Sequence, residues 1–140
     1  MTEIKFRGKK YVNNGQWAFG DLVQGYDTKK FICDLYGMDG PVSENIVAYD
    51  VIPQTIGQYT GIDDKIGQEI YSGDIIEISH PHKNRRFVGI VERLDYGFGC
   101  KGFHFTHFDN PGDIFSEGTE YIKVIGNEYD HPKILGKIDE

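Results

Sequence analysis

Five histidines, two cysteines and the carboxylates between Asp63 and Glu77 are the residues whose types and spacing can do chemistry in this chain of 140 residues. His104 and His107 stand three apart, a spacing that sets two zinc ligands side by side on a helix, and His80 and His82 flank Pro81. The surroundings are β-like, however, and on a strand a period of two sends His104 and His107 to opposite faces. With no cysteine or carboxylate at matching close spacing, no metal ligand is assigned. Asp63, Asp64, Glu69, Asp74 and Glu77 offer the makings of an acid and base pair or a Mg²⁺ site. Asp64 and Asp74 sit beside glycine-containing reversals, where a carboxylate accepts backbone N–H groups, so a turn role is expected of them. Gly97 to Gly102 spells G-x-G-x-x-G, which holds a pyrophosphate only between a strand and a helix N-terminus. The Phe103 to Phe108 run that follows is aromatic and strand-like, so the glycines read as a turn and no cofactor is expected. Cys100 has no sequence signature of a nucleophile. No catalytic residue is assigned.

The densest basic stretch is His80, His82, Lys83, Arg85 and Arg86, and Lys83, Arg85 and Arg86 are the candidate contacts to a nucleic acid or an acidic partner. The formal charge of -7 opposes diffuse attraction to nucleic acid or to an anionic membrane, so such contact has to be local. Cys33 and Cys100 are too few for a disulfide framework and read as reduced thiols. No apolar run approaches the roughly 20 residues that span a bilayer, and Met1 to Arg7 has no stretch suited to a signal peptide. A soluble cytoplasmic protein is the expectation.

Short strands and tight turns must position these residues. Aromatics at 14% together with 18 glycines favour strands over helices. Ile4 to Arg7 reads as a first strand, and Tyr11-Val12 followed by Asn13-Asn14-Gly15 as a strand end and hairpin turn. In Gln16 to Tyr26, Trp17, Phe19 and Val23 recur at period two on one face, with Asp21 as the exception, which reads as a long half-buried strand. Lys29 to Tyr36 is its partner, Gly37 to Asn45 a loop, and Ile46 to Ile52 a further strand ended by Pro53. Gly57 to Gly67 is expected to be turn-rich and to lead into a strand from Ile75 to Ser79, in which Ile76 and Ile78 share a face with Asp74. Arg86 to Asp95 is the hairpin partner through a polar tip, and Phe98 to Phe108 and Glu120 to Gly126 are two more strands. The fold class is mainly β with little helix: a hairpin and meander lobe over 1-53, then a small barrel lobe over 54-140.

Gln58-Tyr59-Thr60-Gly61, Asp64-Lys65, Gly67, Glu69-Ile70-Tyr71 and Gly73-Asp74-Ile75 closely resemble the hallmark of the YopX family of phage and prophage proteins. Ile4-Lys5-Phe6-Arg7 is similar to the family's opening strand. Val124-Ile125-Gly126-Asn127, Tyr129, Pro132 and Leu135 are similar to its closing motif, with His131 standing where Asn is more usual before the proline. The resemblance implies a phage or prophage origin, hence a bacterial host cytoplasm, and an SH3-like barrel in the second half. It implies no activity. Together with the open strand edges of a small β protein, these features lead to a noncatalytic accessory protein that binds a protein partner or assembles with its own copies. The alternative is a nucleic-acid-binding module at Lys83, Arg85 and Arg86, and the third reading is a metal-dependent hydrolase using His104 or His107.

Overall fold

A computed structural model describes residues 4–12, 15–33, 47–80, 85–94, 97–105 and 119–134. The chain divides into two compact units, Met1–Tyr59 and Thr60–Glu140. Both are built of antiparallel strands, with only short helical turns among the described residues.

The first unit holds β1 (Phe6–Lys9), β2 (Trp17–Gln24), β3 (Lys30–Cys33), β4 (Ala48–Val51) and the start of β5 (Gly57–Asp63). Neighbouring strands in the order β4-β3-β2-β1 are hydrogen-bonded, and β1 pairs on its other side with β5 at Phe6–Gln58 and Arg7–Gly57. The end of β4 joins the same side of β1. Lys10 bridges Val51, the Ile52 N–H donates to the Lys9 carbonyl at 2.8 Å, and the Tyr11 N–H donates to the Asp50 carbonyl at 3.3 Å. The sheet thereby closes on itself, and the part of the β4 edge that would lie open is taken by the chain after β1.

Closure dictates which side chains go inside. Ala18, Ile32 and Val51 form the core, with Phe6, Leu22, Tyr49 and Ile56 packed against it. Gly8 faces this interior so tightly that a Cβ would lie 2.9 Å from Val51 Cβ and Cγ2. The interior of so small a closed sheet has room mainly for small and medium residues. Strand β2 is indeed long and half-buried, but its buried face carries Ala18, Gly20 and Leu22, while Trp17, Phe19 and Val23 lie on the other.

The second unit holds the rest of β5, then β6 (Glu69–Tyr71), β7 (Asp74–His80), β8 (Arg85–Leu94), β9 (Gly97–Phe105) and β10 (Ile122–Asn127). Four of these form an antiparallel sheet in the order β10-β7-β8-β9. Its core is Ile70, Ile76, Ile78, Val91, Cys100 and Ile122, with Ile62, Tyr121 and Val124 packed on it. Asp74, Ile76 and Ile78 share a face by alternation, yet Ile75 on the opposite face is fully buried too, so β7 is covered on both sides where it begins.

Two segments differ from their sequence reading. Gly57 to Asp63 is a strand and not a turn, because its backbone finds a partner in β1, where Gly57 pairs with Arg7 50 positions earlier; the turn is confined to the residues after it. Gly97 to Gly102 likewise lies in β9, where Gly99 faces Glu92 and Gly102 faces Gly89 of β8. Glycine content misleads at both places because ladder bonds, long-range in β5 and to the preceding strand in β9, outweigh local preference.

Candidate functional site

The outer face of the first unit carries Trp17, Phe19 and Val23 of β2. Register places Trp17 opposite Lys9, Phe19 opposite Arg7, and Val23 opposite Phe31. Directly opposed residues of an antiparallel pair share a face, so these side chains form one band across β1, β2 and β3. Phe19 and Val23 are 43% and 44% exposed, whereas Arg7 is buried with its guanidinium 4.8 Å from the centre of the Trp17 ring. Stacking of a planar cation on an indole fixes both groups. The result is an ordered band of large side chains on which Phe19 and Val23 are exposed, with Asp21 and Cys33 on the same face by register. The sequence pattern revealed these residues, but not that they face outward.

The candidate basic contacts lie in the second unit. Arg85 is opposite His80 and Arg86 opposite Ser79 at the end of the β7–β8 hairpin next to its connection. Lys83 and His82 lie outside the described residues, as do the side chains of His80, Arg85 and Arg86. His104 pairs with Val88 through the backbone, and His107 lies outside the described residues. No group of three or more His, Cys, Asp or Glu suited to a metal occurs among the described residues. Cys100 is buried in the core, where burial and then the charge of Glu92 push its thiol from 9.0 up to about 12. A thiol held protonated in this way is a poor nucleophile at neutral pH.

The carboxylates of the central motif hold the backbone. Asp64, 5% exposed, accepts the Ile66 and Gln68 N–H groups on Oδ1 at 3.0 and 2.9 Å, and the Val124 N–H on Oδ2 at 3.0 Å. Its turn is closed by Gly67 at φ 87° and is tied to β10 again by the Lys65 N–H, which donates to the Ile122 carbonyl at 2.9 Å. Asp74 accepts the Tyr71 N–H at 2.8 Å across the reversal at Gly73, whose φ is 95°. Gly73 in turn links β8 and the end of β10: its N–H donates to the Val91 carbonyl at 2.8 Å, and its carbonyl accepts the Glu128 N–H at 3.0 Å. Beyond β10, Asn127 Oδ1 accepts the Tyr129 and Asp130 N–H groups at 3.0 and 2.9 Å. His131 Nδ1 accepts the Asn127 N–H at 3.2 Å. The turn role expected of Asp64 and Asp74 is what these bonds show. What the sequence does not reveal is that Asp64 reaches Val124, so that the central and closing motifs form one hydrogen-bonded frame.

A family profile described as YopX protein matches residues 5–136, which takes in both motifs and the first strand. The chain belongs to the YopX family. Among curated proteins none matches it. The crystal structure of protein EF1440 from Enterococcus faecalis is similar at 20% identity and a TM-score of 0.52, covering 96% of this chain and 99% of that one. At that identity the likeness is one of fold. The family match takes in the carboxylate frame and the outer face of the first unit alike.

Proposed function

We propose that this YopX-family protein is a phage or prophage accessory protein that acts by binding, in the cytoplasm of a bacterial host, through a protein surface seated on the outer face of its first unit. The observation that carries the reading is the exposure of Phe19 and Val23 on a band ordered by the Arg7–Trp17 stack. Aromatic and arginine side chains gathered on one face are the composition of a protein interface rather than of an ordinary surface. A second copy of the chain is the partner to test first, since a face of this kind can meet its own copy about a two-fold axis.

The experiment compares the wild type with a Phe19→Ser/Val23→Ser variant by light scattering over a concentration series, and by recovery of partners from infected cells. Wild-type self-association, or a recovered partner, that the variant loses is the expected result. A strict monomer with no partner recovered, or binding indifferent to the variant, overturns the reading.

A second reading is supported by the β7–β8 register, which brings His80, Arg85 and Arg86 to one hairpin end. There a local basic site would bind nucleic acid in spite of the overall negative charge. Gel shifts over a salt series decide it: salt-sensitive binding lost in Arg85→Ala/Arg86→Ala supports it, and none at low salt removes it.

A further inference from the structure

Beyond β10 the chain folds back on its own strand end through His131. The His131 N–H donates to the Asn127 carbonyl at 2.9 Å, and its imidazole turns back so that Nδ1 accepts the Asn127 N–H at 3.2 Å. One residue thus holds both backbone groups of Asn127. The ring can lie so close because Gly126 has no side chain: a Cβ there would stand 2.9 Å from His131 Nδ1, 3.0 Å from its Cγ and 3.1 Å from Ile134 Cδ1. Asn127, itself buried, secures the same turn from within. Its Oδ1 accepts the Tyr129 and Asp130 N–H groups, and its Nδ2 donates to Asp130 Oδ2 at 3.2 Å. The next residue, Glu128, donates its N–H to the Gly73 carbonyl and so joins this turn to the reversal between β6 and β7.

A backbone N–H can only donate, so the imidazole holds Asn127 with the lone pair of a neutral ring whose proton sits on Nε2. A second proton has only Nδ1 to go to. Two N–H donors then face each other where one bond stood, and the ring has to leave its place. Solvent can deliver that proton, because His131 is exposed. The charges around the ring decide how it responds. Glu128 and Asp130 are the carboxylates of its own turn, and Lys133 is the cation that follows it. On β7, Asp74 stands opposite Asn127, with its carboxylate accepting the Tyr71 N–H. The carboxylates of the turn favour an imidazolium at the same time as Asn127 loses its acceptor. The charge is therefore tolerated and the bond is not.

We propose that His131 is a proton-sensitive latch: the neutral ring pins the turn after β10 to Asn127, and the charged ring lets go, loosening the segment from Glu128 onward from the Gly73 reversal. It is independent of docking on the outer face. The test is NMR of the full chain titrated between about pH 8 and pH 5, the span over which histidine side chains change charge. Long-range proton–nitrogen spectra should place the His131 proton on Nε2 at the alkaline end. As the ring charges, the Asn127 and Glu128 amides should shift with the midpoint of its ring protons. Protection of the Asn127 amide, corrected for the intrinsic pH dependence of exchange, should fall about tenfold, the worth of roughly one hydrogen bond. His131→Asn removes this ring and leaves the other histidines in place, so in that variant the protection should be flat across the span. The amide pattern of β7 and β8 reports that the variant is folded. A ring protonated on Nδ1 at the alkaline end, Asn127 protection unchanged as the ring charges, or an equal fall in folded His131→Asn would each overturn the proposal.

Discussion

The two units solve the placing of large side chains in opposite ways. In the second, six buried residues, four of them isoleucine, fill the core, and carboxylates tie the turns to the strands. In the first, closure of a small sheet leaves a core of Ala18, Ile32 and Val51 and turns Phe19 and Val23 outward. A frame held by buried hydrogen bonds resists change, and an outward apolar band is available to partners. The frame residues and the candidate binding residues are therefore different residues, placed by different physics.

The largest effect is expected in the second core. Ile76→Ala should lose about 2–5 kcal/mol of stability by urea unfolding, from lost burial and the cavity left behind. A loss under about 1 kcal/mol would mean that this core is looser than its burial indicates. Next, Asp64→Ala orphans three backbone donors and should cost about 2–4 kcal/mol, more than removing one exposed carboxylate can. An equal cost in a Val124→Pro variant, which deletes one of those donors, would point to the β10 link as the dominant bond. In the first unit, Gly8→Ala should cost about 1–3 kcal/mol, because the added Cβ meets the Val51 side chain at 2.9 Å. Gly67→Ala meets no neighbour and suffers only its φ of 87°, about 1 kcal/mol. A reversed order of these two glycines would break the claim that the first unit is limited by volume.

Alkaline pH sharpens the comparison further. The Cys100 thiol ionises from 9.0 in the unfolded chain and from about 12 in the folded one, so above pH 9 the folded state keeps a proton that the unfolded state releases. Its contribution to stability is complete below that pH and is lost as pH rises through the window, by up to about 1.4 kcal/mol per pH unit. Wild type should therefore lose more stability between pH 8 and 10.5 than Cys100→Ala does. Parallel pH profiles of the two proteins would show that the thiol is not held in the core.

Much of the strand pattern was legible in the sequence, since the hairpins announced themselves through turn residues and alternation. The inward face of β2 was not, because alternation marks two faces and leaves open which one is buried. Trp17 and Phe19 are larger than Ala18 and Gly20, yet it is the smaller pair that faces the closed interior. The family motif was legible as a motif and its carboxylates as turn formers. The bond from Asp64 to Val124 spans 60 positions, and no local reading contains it.

The central claim is that the outer band of the first unit binds and the frame of the second unit does not. It is tested most directly by measuring association of the Phe19→Ser/Val23→Ser protein below its melting temperature, beside an Asp64→Ala protein that is still folded. The account predicts that the first variant loses association while melting near the wild type, and that the second melts earlier while still associating. Association retained by the first variant, or lost by the folded second one, would contradict it.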